Sequence, residues 1–277
     1  MTDKSSTNKT IKLLIASDIH LSYKNIDALA QVVRDRNEKI DYVICPGDVC
    51  NFNPDNCNND DMVRECEDEM KKIMIALEAI HPNVLYVPGN HDAKTTLLIN
   101  GDTDALKLSS HSTNLHKSSI RIDDSLVILG LGGSLPSIRN GENHWVGYPY
   151  QKESELEKDL DQMVAHSQLT TNVKDDDRII LLSHSGPFNS GTTVDQVEDP
   201  KNPIYSGSKS INTYLESNKS IFLNIHGHTH HSSGMGRVGK SFIVNPGSLR
   251  TGHYVLLTLE KYDNVLWRIK STEFNRV

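Results

Sequence analysis

Residues 11–20 read IKLLIASDIH. Apolar side chains occupy positions 11 and 13–16, and the run then breaks at Asp18 and His20. A short continuous apolar run that ends on turn-forming polar residues reads as a strand covered on both faces. The same punctuation returns in DYVICPGD at 41–48, NVLYVPGNHD at 83–92, RIILLSH at 178–184 and IFLNIHGHTH at 221–230. Each run stops at a carboxylate, a carboxamide or an imidazole. Amphipathic patterns lie between the runs. Ile26, Leu29, Ala30 and Val33 mark one face of a helix over 25–36. Val63, Cys66, Met70, Ile73, Leu77 and Ile80 recur at intervals of three and four and predict a helix over about 61–80, with its methionines in the core. Strand, helix, strand, followed by a closing run of strands, is the order of an α/β fold with mixed sheets.

Further out the pattern is less regular. Short strands are expected at 114–116, 119–122 and 125–131, then a Gly-rich turn and a loop over 136–150 that carries Trp145, Tyr148 and Tyr150. Helices are expected over 153–166 and 208–216, and closing strands over 241–244, 254–259 and 264–269. No repeat or linker-like composition shift divides the chain. It is read as a flexible N-terminal tail, residues 1–10, followed by a single domain, residues 11–277.

The chain has 277 residues, 36% hydrophobic and 23% charged, with a formal net charge of −7. The acidic balance argues against a duplex-binding protein, which would present a basic face. No apolar stretch is long enough for a bilayer span, and the polar first ten residues lack the apolar core of a signal peptide, so a cytoplasmic location without membrane contact is expected. Cys45, Cys50, Cys57 and Cys66 have irregular spacing and form no C-x-x-C pair. They read as free thiols rather than as a zinc site or a disulfide.

Asp18-Ile19-His20, Gly47-Asp48, Gly89-Asn90-His91-Asp92, His184 and Gly227-His228-Thr229-His230 each follow a predicted strand. Ligands in open α/β sheets collect at the carboxyl ends of strands. Carboxylate, imidazole and carboxamide donors form a mixed ligand set for divalent metals. In D-x-H and in H-x-H the two side chains leave an extended segment on the same side, so both reach one ion. Seven candidate ligands exceed one tetrahedral ion and suit two ions sharing a carboxylate, about 3.5–4 Å apart. An imidazole-rich site favours Mn²⁺, Fe²⁺/Fe³⁺ or Zn²⁺ over Mg²⁺.

These segments, in this order, resemble the calcineurin-like metallophosphoesterase superfamily, over Asp18 to His230. The resemblance implies a four-layer α/β/β/α sandwich of two mixed β-sheets flanked by helices. It implies that Asp18, His20 and His230 hold a first metal, that Asn90, His184 and His228 hold a second, and that Asp48 bridges them. His91 would act on the phosphate as general acid or charge stabiliser, and Asp92 would orient its imidazole. The reaction implied is hydrolysis of a small phosphodiester or phosphomonoester by in-line attack of a metal-bridging hydroxide. Gly130-Leu131-Gly132-Gly133-Ser134, Ser206-Gly207-Ser208 and Asn245-Pro246-Gly247-Ser248 are similar to the Icc-related phosphoesterases, which resemble class III cyclic nucleotide phosphodiesterases. Val49-Cys50-Asn51-Phe52 stands where Ser/Thr protein phosphatases of this fold carry Asp-Arg-Gly. Asn51 stands where purple acid phosphatases carry tyrosine.

Other readings compete. Ser183-His184-Ser185 suggests a nucleophile pair, but no G-x-S-x-G elbow accompanies it. His226 and His231 match no ligand position and read as structural. His144, Trp145 and Tyr148 are candidates for a base- or ring-binding wall or, equally, for simple loop packing. Asn90, Arg139 and Arg250 are candidates for phosphate contact. At the level of the whole chain the alternatives are a non-catalytic metal-binding scaffold, which the filled ligand positions oppose, and a nuclease, which the acidic balance opposes.

Overall fold

In strand β1 (Thr10–Ile15) alternate side chains enter different layers. Leu14 packs with Leu29 and Val63 among helical residues, whereas Leu13 and Ile15 pack with Ile180, Phe222 and Leu223. The computed structural model in which this is seen describes residues 8–97, 107–263 and 266–277. The first seven residues of the expected tail, and residues 264 and 265 of the last expected strand, lie outside that set.

After β1 come α1 (Tyr23–Asp35), β2 (Tyr42–Cys45), α2 (Asp60–Glu78), β3 (Val84–Tyr86), β4 (Ser112–Asn114), β5 (Ser118–Asp123) and β6 (Leu126–Leu131). Then follow β7 (Ile138–Arg139), β8 (Glu142–Asn143), α3 (Glu153–Thr170), β9 (Arg178–Ser183), β10 (Val194–Asp195), β11 (Ile204–Tyr205) and α4 (Lys209–Ser217). The chain closes with β12 (Ile221–Ile225), β13 (Gly234–Val238), β14 (Ser241–Asn245), β15 (His253–Tyr262) and β16 (Leu266–Arg276).

One sheet runs β16-β15-β1-β2-β3-β4, with β1 to β4 parallel and β15 and β16 antiparallel. The other runs β13-β14-β12-β9-β6-β5, parallel at its centre with an antiparallel strand at each edge. Leu13, Ile44, Leu85, Ile128, Leu182 and Ile225 belong to the apolar layer between the sheets. Helices α1 and α2 cover the outer face of the first sheet, and α3 and α4 that of the second. The result is the four-layer α/β/β/α arrangement. Truncating one fully buried leucine of the middle layer to alanine would cost about 2–5 kcal/mol.

Helix α2 starts where its chemistry dictates. The Asn59 carboxamide oxygen accepts from the N–H groups of Asp61 and Met62, 3.2 and 3.3 Å away, and Asp60 and Asp61 lie in the positive first turn. The expected stripe is buried from Val63 to Leu77, with Met74 joining it, while Met62 is exposed. No helix among the described residues is long and apolar enough to cross a membrane.

Some elements depart from expectation. The strand expected at 114–116 lies at Ser112–Asn114, and His116 makes only a single bridge to Gly130. Strand β13, GMGRV, has no apolar alternation and forms because it pairs with β14. A four-stranded sheet in the order β10-β11-β7-β8 arises from the connections that follow β6 and β9, each of its strands only two residues long.

Candidate metal centre

The carboxyl ends of β1, β2, β3, β9 and β12 meet at one edge of the sandwich. Past β1, the Asp18 N–H donates to the Gly47 carbonyl at 2.9 Å and the His20 N–H to the Asp48 carbonyl at 3.1 Å. The Asp18 carboxylate accepts the His228 N–H at 3.1 Å, which ties the first sheet to the second. Asp18, His20, Asp48 and His228 all have φ between 48° and 65°. A left-handed non-glycine residue costs roughly 1–3 kcal/mol, and such residues gather at functional sites. Close approach fixes two glycines. A Cβ at Gly89 would collide with the Asp48 carboxylate, and one at Gly227 with Ser17 Oγ and Asp18 Oδ2.

The imidazoles are oriented from behind. His184 Nδ1 lies 2.8 Å from the Pro46 carbonyl, His91 Nδ1 2.9 Å from the Phe52 carbonyl, and His20 Nδ1 3.0 Å from the Cys50 carbonyl and 2.9 Å from Asn51 Oδ1. A carbonyl only accepts, so Nδ1 carries the proton and Nε2 of the neutral ring presents a lone pair. These nitrogens converge. His20 Nε2 is 3.1 Å from His230 Nε2, which is 3.2 Å from Asp18 Oδ1. His184 Nε2 is 3.0 Å from Asn90 Oδ1 and 3.3 Å from Asp48 Oδ2. His228 Nε2 is buried with no hydrogen-bond partner among the described residues. Donor atoms of Asp18, His20, Asp48 and His230 lie within 4.8 Å of one another, as do those of Asp48, His184 and His228.

Acceptors packed this closely repel one another unless a cation lies among them. Asp18 and Asp48 are buried, and among the described residues neither pairs with lysine or arginine. Burial alone would raise the Asp48 carboxyl, but the imidazoles of His184, His91 and His20 hold it well below the usual range. Burial would lower His184, yet the Asp48 carboxylate overrides it and pushes His184 up to about 9. His228, buried and beside His184, is pushed down to about 3. The site therefore demands positive charge between its two groups. The donor set meets that demand with divalent metals.

Asp92 does something other than expected. It makes no hydrogen bond to the His91 ring. Its oxygens accept the N–H groups of Gly89 (2.8 Å), Asp48 (2.9 Å), Val49 (2.9 Å) and Cys50 (3.0 Å). A carboxylate sunk among four amides pins two strand-end loops together, and the Phe52 carbonyl takes over the orienting of His91. Arg139 is engaged by Glu198 at 2.8 Å, and Arg250 is exposed and meets the site only through its backbone N–H on the Asp18 carbonyl. His144 is exposed. Trp145 lies against the candidate ligands, 5.7 Å from the His228 ring and 6.5 Å from that of His230.

Sequence reasoning missed the supporting residues Asn51 and Ser248, the latter donating to the Asp18 carbonyl at 2.7 Å. Asn51 stood out only as a departure. His226 is structural, as expected: it is buried, with Nε2 2.8 Å from Thr192 Oγ1. The four cysteines are free. A cavity bordered by Leu21, Cys50, Phe52, Met62 and Cys66 contains none of the candidate ligands.

The family model for calcineurin-like phosphoesterase matches residues 11–232, a span that takes in every one of these strand ends. The chain belongs to the calcineurin-like phosphoesterases. As a calcineurin-like phosphoesterase it is a metal-dependent phosphoric ester hydrolase. It is 26% identical over 239 residues to the uncharacterized protein MJ1162 of Methanocaldococcus jannaschii, a match that covers 86% of this chain and 88% of that protein. The protein TT1561 of Thermus thermophilus has a similar structure, with a TM-score of 0.59 at 15% identity over 97% of this chain and 99% of that one. So does a dimetal phosphatase from Danio rerio, with a TM-score of 0.52 at 12% identity over 96% and 98% of the two chains.

Proposed function

We propose that this chain hydrolyses a small phosphate monoester or diester at two divalent cations, one held by Asp18, His20 and His230, the other by Asn90, His184 and His228, with Asp48 shared. The observation that carries this reading is Asp48 Oδ2, which lies 3.3 Å from His184 Nε2 and 4.0 Å from His20 Nε2. One carboxylate oxygen faces both groups. The name of the Danio rerio neighbour, a dimetal phosphatase, agrees with two ions. Imidazole-rich donors favour Mn²⁺, Fe or Zn²⁺. Such a pair, when bound, supplies Lewis acidity: it brings the pKa of a shared water toward neutrality and offsets charge on phosphoryl oxygens.

The residues of the chain do the positioning. Asp48 Oδ1 accepts the His91 N–H at 2.8 Å, which leaves Oδ2 aimed at the imidazoles. The Asn90 amide nitrogen donates to the Val146 carbonyl at 3.2 Å, which turns its oxygen toward His184. The His91 ring is held by the Phe52 carbonyl through Nδ1–H, and as the imidazolium, with a second proton on Nε2, it can protonate a departing ester oxygen.

The test is metal content and turnover together. Chelator-stripped protein is reloaded with Mn²⁺ and assayed on 4-nitrophenyl phosphate and bis(4-nitrophenyl) phosphate. The wild type should bind two equivalents and turn over at least one ester. D48N should lose the second equivalent and nearly all activity. H91A should keep both ions and lose about 10²–10⁴ in kcat. Metal-loaded wild type that is inert on both esters would defeat the proposal.

A further inference from the structure

The indole of Trp145 is fixed over the candidate ligands. Its ring lies at 26° to that of His230, centroids 6.5 Å apart, and stands edge-on to His228 at 5.7 Å. A polar cage does not need an apolar wall for its own stability, and Trp145 is half-buried, not sunk in the core. The backbone beneath it is zipped. The Ser137 N–H donates to the Trp145 carbonyl (3.1 Å), the Trp145 N–H to Ser137 Oγ (2.7 Å), the His144 N–H to the Ser137 carbonyl (2.8 Å) and the Ser134 N–H to the Tyr148 carbonyl (2.8 Å). The next residue, Val146, receives the Asn90 amide. The loop is thus fastened to itself and to a candidate ligand by hydrogen bonds of its own backbone.

We propose that Trp145 is a specificity-determining residue that stacks on a flat aromatic ring carried by the phosphate ester. This rests on the reading of the cage as a phosphoesterase site. A phosphoryl group held by the cage has its substituent projecting within a few ångströms, and an indole 5.7–6.5 Å from two of the cage imidazoles borders that path. An indole face accepts any planar π-system and discriminates against aliphatic chains, which it meets with dispersion alone. Among the aromatic residues of the loop, Tyr148 and Tyr150 form no ring contact with the ligand imidazoles, so the selection falls to Trp145.

The chain has two tryptophans, and Trp267 is fully buried. Intrinsic tryptophan fluorescence therefore reports ligand contact at Trp145. Zn²⁺-loaded protein is titrated with adenosine 5′-phosphate, glycerol phosphate and inorganic phosphate. Quenching by the ringed ester, absent with the other two and abolished in W145F, is expected. Quenching that is equal for all three, or absent for all, overturns the proposal.

The second arm is kinetic, with Mn²⁺-loaded protein. The ratio of kcat/KM for adenosine 5′-phosphate to that for glycerol phosphate should fall about 5- to 150-fold in W145A, mainly through KM, with partial recovery in W145F. An unchanged ratio means that the indole only props His230 or shields the cage, and the proposal fails. Absence of turnover on every ester would instead sink the phosphoesterase reading while the quenching result still stands, so the two failures are distinguishable.

Discussion

Asp92 is fully buried, and its two oxygens hold four amides from two loops. Burial raises its carboxyl to about 6, with Asp48 adding to the shift and the amides opposing it. Replacement by asparagine keeps one acceptor oxygen and turns an NH₂ group toward the other amides. Two unsatisfied buried N–H groups cost roughly 2–5 kcal/mol. D92N should therefore lose that much unfolding free energy in urea and bind metal more weakly as Asp48 loses its seat. A D92N protein as stable as wild type, with only the His91-dependent step impaired, would restore the orienting role expected from sequence. Adjacency misled here because His91 lies in a turn and Asp92 in a bend, where the Asp92 carboxylate faces the amides of Gly89, Asp48, Val49 and Cys50 instead of the neighbouring ring. The candidate ligands were legible as side-chain types at strand ends. The carbonyls of Pro46, Cys50 and Phe52 that orient the rings were not, because a backbone carbonyl leaves no mark in the sequence.

At the scale of elements, His116 marks the place where the chain leaves the first sheet for the second. The Leu115 N–H donates to the Tyr86 carbonyl of β3, whereas the Lys117 N–H donates to the Gly130 carbonyl of β6. Between them the His116 ring is buried, and its Nδ1 accepts the Gly132 N–H at 2.9 Å. Burial, with help from Lys117, pushes His116 down to about 3. An unfolded histidine titrates near 6.5. Between these values the unfolded chain binds a proton that the folded chain refuses, so stability falls as pH drops from about 6.5 toward 3, by about 1.4 kcal/mol per unit from this residue. H116Q keeps an acceptor for Gly132 and cannot titrate. Its stability between pH 7 and pH 5, read by urea unfolding, should decline less steeply than that of wild type; parallel curves would show that His116 is not the titrating group. The long helices and central strands were legible because their periods run for several residues. Strand β13, with glycine at positions 234 and 236, and the two-residue strands of the small sheet were not, because partners found far along the chain make them strands.

Across the whole molecule the two sheets are fastened at both ends of their shared apolar layer. Asp123, at the end of β5, accepts from Lys9, from Lys261 (2.9 Å) and from Trp267 Nε1 (3.2 Å), all belonging to the first sheet or leading into it. Lys9 precedes β1, so this anchor lies at the opposite end of that strand from Asp18. At the Asp18 end the anchoring groups are buried carboxylates and imidazoles that pair with no lysine or arginine among the described residues, and the proposed cations complete that end. The sequence pattern could place five polar strand ends, but which sheet each strand joins depends on pairing between distant segments. A ligand that binds only the folded chain stabilises it by about 2.7 kcal/mol at a hundredfold excess over its Kd. For a chain of this size that corresponds to roughly 5–10 °C in unfolding temperature. Chelation should therefore lower the unfolding temperature of Mn²⁺-loaded wild type by that margin, while D123N, altered at the other anchor, should lose stability and still respond to chelator. D48N, left with one equivalent, should show a smaller shift on chelation than wild type, because its shared ligand is gone. Superimposable melting curves for wild type in metal and in chelator would mean that the cage at the strand ends does not hold the sheets together.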